Sequence, residues 1–400
     1  MKIVHCSDLH LGKKVSGNRE YVKKRYEDFF SAFENFIAKV KEINPDVCII
    51  AGDIFDKKEI SPDILSKTEN LFKKLRGNVK KEVIAIEGNH DNSKTLEDSW
   101  LEYLHEQSLL KVFYFNKNFE EENYLKIEDI NFYPIGYPGF MIDEALKKLS
   151  ENLNSDEKNI VIVHTGISAG ENNLPGLVST SILDLFKDKA IYVAGGHIHS
   201  FSTYPKEKPF FFVPGSLEFS NVQNERSDRK GFILFDTDSL KHEFIELNHR
   251  KRVQKNFIYN DSTNIEAEFE AFVKELNLSG EEILVVSMGI KNYEYINLET
   301  LEKIAENNGA LKTHIIIKNI LSVGNSEEGN SDLSIEELEK NLITDWNISN
   351  IEKFSENFTE LKELFSNGDK DSFLELFDKT LEVNEDDNQK SKTWKLSFSF

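Results

Sequence analysis

The sequence predicts an α/β fold in which two β-sheets pack face to face between flanking helices. Three observations predict it. Short apolar runs rich in Val and Ile recur through the first 245 residues at strand length: 2–4, 47–50, 83–86, 160–163 and 191–194. Amphipathic stretches with helical spacing separate the early runs. Each of the five runs also ends in side chains able to bind a metal. They lead into Asp8 and His10, Gly52-Asp53, Gly88-Asn89-His90-Asp91, His164, and Gly196-His197-Ile198-His199.

The first helix spans 21–43, where Tyr26, Phe29, Phe30, Phe33, Phe36, Ile37 and Val40 fall near helical spacing. It joins the first two strands. A second helix, 64–75, starts at Ser61-Pro62, with a capping hydroxyl and a proline suited to the first turn. Residues 124–137 alternate around Glu128-Asp129, which reads as a hairpin. The runs 210–213, 231–236 and 242–247 are expected to form an antiparallel second sheet. This first domain is read as residues 1–247.

Residues 248–320 repeat a strand–helix–strand–helix–strand order, a small α/β capping module. Residues 321–331 are polar and rich in Gly, Asn and Ser, a linker. Residues 332–400 read as an acidic helical segment. Ile351, Phe354, Phe358, Leu361 and Phe365 share one face, and Phe373, Phe377 and Leu381 continue it. A segment this short forms no core alone, so the face suits either a helical hairpin or a partner helix. Trp394, Leu396, Phe398 and Phe400 alternate at period two, as in a terminal strand or a tail that must be covered.

Composition narrows the function classes. Hydrophobic residues make up 39% and charged residues 30%, which fits a globular chain with a sizeable core. The net charge of −21 argues against wrapping nucleic acid by the whole surface, while leaving room for local cations and bound metals. Cys6 and Cys48 fall in inner strands and read as small buried hydrophobes, not a disulfide. No apolar run reaches the roughly 18 residues of a membrane span, and no leader is visible. The expected location is cytoplasmic, with no membrane contact.

In α/β sheets the active crevice lies outside the carboxyl ends of the strands. Five strand ends would bring Asp8, His10, Asp53, Asn89, His164, His197 and His199 to one rim. Oxygen and imidazole donors suit Mn, Fe, Zn or Mg, with Mn or Fe favoured by the imidazoles. The carboxylate of Asp53, in the second strand, is the natural bridge between two ions. A two-metal site clamps the attacking and leaving oxygens of an in-line displacement on phosphorus, so phosphate ester hydrolysis is the expected reaction. His90 would act on the developing charge or the leaving alkoxide, and Asp91 would orient it. His5, His105, His242 and His249 lack the strand-end context and read as structural or surface residues.

These strings resemble those of the calcineurin-like metallophosphoesterases. Within them the chain looks like an SbcD-type DNA nuclease of the MRE nuclease family. The strings behind that likeness are Asp8-Leu9-His10-Leu11-Gly12, Gly52-Asp53-Ile54-Phe55-Asp56, Phe212-Val213-Pro214-Gly215-Ser216 and Lys230-Gly231-Phe232, followed by the extra module and tail. The resemblance implies a two-sheet metallophosphoesterase sandwich with a capping domain and a partner-binding helical segment. It implies that Asp8, His10, Asp53 and His199 hold one manganese, and that Asp53, Asn89, His164 and His197 hold the other. It gives His90 the role on the scissile phosphate. Some relatives carry a further histidine where this chain has Asp56, which leaves a second general acid open.

The resemblance also implies two Mn(II) ions, DNA exonuclease and endonuclease action in double-strand break repair, a homodimer, and an SbcC-type ABC ATPase as partner of the C-terminal helices. DNA contact then requires cations near the rim. The candidates are Lys13, Lys14, Arg19, Lys23-Lys24-Arg25, Arg226, Arg229 and Lys230; Arg250-Lys251-Arg252 reads as a domain joint. Two alternatives stand beside this reading. One is another dimetal phosphoesterase, such as a cyclic nucleotide phosphodiesterase or protein phosphatase. The other is a non-catalytic binding subunit.

Overall fold

The computed structural model describes residues 1–92, 99–115, 124–168, 176–225, 227–259, 264–290, 296–319 and Leu376. The chain divides into two compact units, Met1–Ser322 and Val323–Phe400. The linker, the apolar helical face and the alternating terminus read from the sequence lie outside the described residues.

The first unit begins with β1 (Lys2–Cys6), α1 (Arg19–Ile43), β2 (Val47–Ile50), α2 (Pro62–Arg76), β3 (Glu82–Ile86), α3 (Trp100–Glu106) and β4 (Lys111–Phe113). Next come β5 (Leu125–Ile127), β6 (Ile130–Ile135), α4 (Ile142–Asn152), β7 (Lys158–Val163), β8 (Gly166–Ile167), β9 (Leu177–Val178), α5 (Thr180–Leu183) and β10 (Tyr192–Ala194). Then follow β11 (Ser202–Tyr204), β12 (Phe211–Val213), β13 (Gly231–Asp236) and β14 (Lys241–Glu246). The unit closes with β15 (Arg252–Ile258), α6 (Ile265–Glu275), β16 (Ile283–Ile290), α7 (Leu298–Asn307) and β17 (Lys312–Asn319).

Two six-stranded sheets form the core, in the orders β14-β13-β1-β2-β3-β4 and β11-β12-β10-β7-β6-β5. The alternation of side chains explains the sandwich. Ile3, Val47, Ile49 and Ile84 point inward to meet Ile160, Ile162, Tyr192 and Phe212 of the other sheet. Their neighbours Val4, Cys6, Cys48 and Ile50 point outward, into a cluster with Phe33 and Phe36 of α1 and Phe72 of α2. Val161, Val163 and Val193 do the same toward α4 and α5. Strands buried on both faces read as continuous apolar runs, which is why the sequence displays them so plainly.

Both early helices are capped at their starts, the second at the expected Ser61-Pro62. The Asn18 side chain accepts the Tyr21 N–H at 2.8 Å ahead of α1, and Ser61 caps α2 with Pro62 in its first turn. Glu128 and Asp129 turn the hairpin β5–β6. The three late strands depart from expectation. β12 lies parallel to β10 in the second sheet, whereas β13 joins the first sheet antiparallel to β1 and β14 pairs antiparallel with β13 at its edge. Apolar alternation marks a strand without naming its partner, and the chain between Val213 and Gly231 crosses from one sheet to the other.

A three-stranded parallel sheet, β15-β16-β17, with α6 and α7 completes the unit. Tyr21, Phe219 and Val222 pack with Ile283 and Leu311 where it meets the rest. Buried Arg25 donates to Asp28 and Glu218 at 2.8 Å each. Arg250 pairs with Asp28 at 2.5 Å and with Glu281 at 2.6 Å. Arg250 thus joins the module to the sandwich, and Arg25, buried against Asp28 and Glu218, has no face left for DNA. Among the described residues, no helix is long and apolar enough to cross a membrane.

Candidate metal centre

Parallel pairing sets the ends of β1, β2 and β3 side by side. The segments after β1 and β2 keep running together: Asp8 N–H donates to the Gly52 carbonyl at 3.0 Å and His10 N–H to the Asp53 carbonyl at 3.0 Å. Asp8, His10, Asp53 and His197 all hold positive φ, at 54°, 45°, 54° and 70°. Left-handed backbone at a non-glycine residue costs on the order of 1–3 kcal/mol and clusters at functional sites. Here it turns successive side chains toward one point. Gly52 and Gly88 make room for that. A methyl group on Gly88 would overlap the Asp53 carboxylate, and one on Gly52 would overlap the His164 ring.

Seven donor side chains converge. Asp53 Oδ2 lies 3.4 Å from His164 Nε2 and 3.9 Å from His10 Nε2. Asn89 Oδ1 lies 3.1 Å from His164 Nε2 and 2.9 Å from His197 Nδ1. His199 Nε2 sits 3.1 Å from His10 Nε2 and 3.8 Å from Asp8 Oδ1. Asp53 therefore stands between the two groups of donors, where a bridging carboxylate would be. Asp8, His10 and His199 form one set of mutually close ligand atoms, and Asp8, Asp53 and His164 another.

The residues fit divalent cations. His164 Nδ1–H donates to the Ala51 carbonyl at 2.7 Å, which leaves Nε2 facing the carboxylate and amide oxygens. Asp8 and Asp53 are 0% and 1% exposed, so the site buries negative charge that needs a counter-ion. Burial would lower the basicity of His164, but Asp53 outweighs it and lifts the imidazole to about 9. Burial pushes His197 down to about 4 and His10 well below its ordinary value. Burial alone would raise Asp53, yet the facing imidazoles hold it below the usual carboxylate range. With no metal the site answers its excess charge with a proton on His164. A divalent cation answers it with more charge and uses the lone pairs already aimed inward.

Residues 1–201 match the family of calcineurin-like phosphoesterases. The chain belongs to that family. Similar solved structures include a dimetal phosphatase from Danio rerio, 9% identical, covering 58% of this chain and 91% of that one at a TM-score of 0.40. The calcineurin-like phosphoesterase YfkN from Bacillus subtilis is 13% identical, with 62% and 88% covered at 0.35. The nuclease MPE from Pseudomonas putida is 16% identical, with 44% and 73% covered at 0.21. This phosphoesterase therefore combines the family's metal-dependent chemistry with the donor cluster described above.

His90 lies beside the cluster. Its N–H donates to Asp53 Oδ1 at 2.9 Å, and its Nδ1–H donates to the Asp56 carbonyl at 2.6 Å. The acceptor that orients His90 is thus Asp56, not Asp91. Asp91 serves elsewhere: its carboxylate takes the N–H groups of Ile54 at 3.0 Å, Phe55 at 2.9 Å and Gly88 at 3.1 Å. It ties the segment after β2 to the turn after β3. Asp56 also accepts from Lys13 at 2.7 Å and lies 3.6 Å from His10 Nδ1.

The expected DNA-contact residues divide. Lys14, Arg19 and Arg229 are exposed, and Arg226 lies outside the described residues. Arg229 stacks over Phe244 at 4.7 Å. Lys230 is not a DNA contact: it is 0% exposed, with its ammonium on Glu225, Ser216 and the His199 carbonyl. Burial lowers its basicity, and no surface remains for a phosphate. Two residues near the centre escaped sequence reasoning. Glu225 sits in a loop with no strand-end signature. Tyr137, whose ring lies 5.9 Å from His164 and from His197, follows β6 as Gly136-Tyr137-Pro138, a strand end with no metal-binding residue to flag it.

Proposed function

We propose that this phosphoesterase is an SbcD-type nuclease: a manganese-dependent enzyme that cleaves DNA phosphodiesters in double-strand break repair, partnered by an SbcC-type ABC ATPase. The observation that carries the reading is the meeting of two donor sets across Asp53, with His90 alongside, in a chain that continues into a three-stranded module.

Asp8, His10, Asp53 and His199 would hold one ion, and Asp53, Asn89, His164 and His197 the other. Bound there, two divalent cations would lower the pKa of an attacking water and polarise the phosphoryl oxygens. The protein's own part is orientation. The Asp56 carbonyl holds His90 Nδ1–H, which leaves Nε2 free to deliver or receive a proton at the leaving oxygen. Asp91 holds the segments that carry Asp53 and Asn89 in register. The exposed cations Lys14, Arg19 and Arg229 offer phosphate contacts without base choice, as an end-processing enzyme requires.

The test compares Mn(II)-dependent nucleotide release from linear duplex DNA with hydrolysis of bis-p-nitrophenyl phosphate, with and without the ATPase. Cleavage of both substrates is expected. Hydrolysis of the small ester with no DNA cleavage in either condition favours another dimetal phosphoesterase instead.

A further inference from the structure

Glu225 lies in the loop between β12 and β13 and is 7% exposed. Its Oε1 accepts the N–H groups of Ser220 and Asn221 at 2.7 Å each and lies 3.4 Å from His199 Nδ1. Its Oε2 takes the ammonium of Lys230. Lys230 in turn donates to the His199 carbonyl at 2.9 Å and to Ser216 Oγ at 2.8 Å. One buried ion pair therefore holds His199 by both its ring and its backbone. The loop is fixed from a further side. Arg252, the first residue of β15, donates to the Glu225 carbonyl at 2.7 Å and the Val222 carbonyl at 2.9 Å, with its guanidinium 4.4 Å from the Phe219 ring centre.

A buried ion pair loses hydration that its attraction barely recovers, so stability alone is a weak reason to keep one. Its position beside His199 supplies a better one. A neutral imidazole carries one proton, and a carboxylate at Nδ1 draws that proton there. The lone pair is then left on Nε2, the nitrogen that faces His10 Nε2 at 3.1 Å and Asp8 Oδ1 at 3.8 Å. Carboxylates behind ligating histidines act in this way on metal affinity.

We propose that Glu225 is a positioning residue for His199, fixing its tautomer and ring orientation for metal, and that Arg252 makes the three-stranded module part of that support. The inference rests on reading His199 as a metal ligand. Lys230 balances the charge of the Glu225 carboxylate in this nearly buried position.

The experiment titrates Mn(II) into the metal-free full-length chain by calorimetry, for the wild type, Glu225→Gln, the double variant Glu225→Gln with Lys230→Met, Arg252→Met and His199→Ala. Glu225→Gln is expected to weaken one of two sites by roughly 10- to 100-fold and spare the other. The double variant, which leaves no buried charge unpaired, is expected to lose the same site. Arg252→Met, which touches no ligand, is expected to weaken that site by less. Wild-type affinity at both sites in folded Glu225 variants would overturn the proposal, and an unchanged Arg252→Met would overturn the module's part. If His199→Ala also keeps both sites, the ligand reading falls; if it loses one while the Glu225 variants lose none, only the present proposal falls. A readout that needs no variant is the long-range 15N imidazole spectrum of the wild type. His199 protonated on Nδ1 is expected, and protonation on Nε2 would overturn the idea.

Discussion

At the scale of single residues, hydrogen-bond acceptors behind the imidazoles decide what each can do. Ala51 and Asp56 offer carbonyls to His164 and His90, and a carbonyl only accepts, so both Nδ1 atoms carry the proton. His164 and His90 then differ in what Nε2 meets: carboxylate and amide oxygens for the first, the flank of the cluster for the second. Replacing His90 with Ala is expected to lower cleavage by roughly 10²- to 10⁴-fold while two Mn(II) still bind, measured by turnover and by calorimetric stoichiometry. Loss of an ion would instead place His90 among the ligands, alongside His10 and Asp53, with which it forms a third close set. His164 gives a pH prediction. Asp53 lifts it to about 9 against the opposing effect of burial, so the metal-free imidazole is protonated at pH 7.5. A metal needs the bare lone pair, so binding must release that proton. Apparent affinity should fall roughly tenfold per pH unit below about 9 and flatten above it. Titrations in buffers of different ionisation heat measure the released proton directly. The same raised value means that the charged pair stabilises the metal-free fold below the unfolded pKa near 6.5 and stops doing so as pH rises through about 9.

At the scale of elements, the ligand-bearing segments are tied to one another and not merely adjacent. Asp91 accepts three backbone N–H groups with two oxygens, from Ile54, Phe55 and Gly88. Asp91→Asn keeps the shape but turns one oxygen into a donor facing donors. The expected cost is about 1–3 kcal/mol of stability, read by thermal unfolding, with weaker binding of both ions because Asp53 and Asn89 sit on the two segments joined. Unchanged metal affinity would mean that the glycine turns alone hold the geometry. That network shows where the sequence stops being informative. Asp91 stands in the same string as Asn89 and His90, so its chemistry was legible, but its direction was not: neighbouring side chains diverge, and only the fold shows which N–H groups they reach. The strands themselves were legible because burial on both faces leaves uninterrupted Val and Ile. The pairing of β12 and β13 was not, since a short apolar run reads the same in either sheet. Lys230 looked like a surface cation because a lysine usually is one, and Glu225, which makes its burial tolerable, gave no sign in a loop of polar residues.

At the scale of the whole molecule, the acidic balance of the chain and its proposed DNA substrate are reconciled by location. The net charge of −21 is spread over the chain, whereas cation binding would change the sign of the field inside the crevice. The three-stranded module is fastened to the sandwich through Arg250, paired with Asp28 and Glu281, and Arg252, paired with Asp228. Every one of those groups lies within residues 1–319, as do all seven donors of the metal centre. In the sequence of segment 332–400, the apolar positions Ile351, Phe354, Phe358, Leu361 and Phe365 recur at the spacing of one helical face. A face of that kind fits the groove or helix of a partner, here the proposed ATPase. Deleting residues 332–400 should therefore leave Mn(II)-dependent cleavage of DNA near its full rate, with both ions bound, and abolish co-purification with the ATPase. The measurement is a pull-down of the two full-length partners beside a nuclease assay on the truncated chain. Retained binding would assign the partner contact to another surface of the first unit, while lost nuclease activity with the partner absent would mean that the segment also supports the catalytic half.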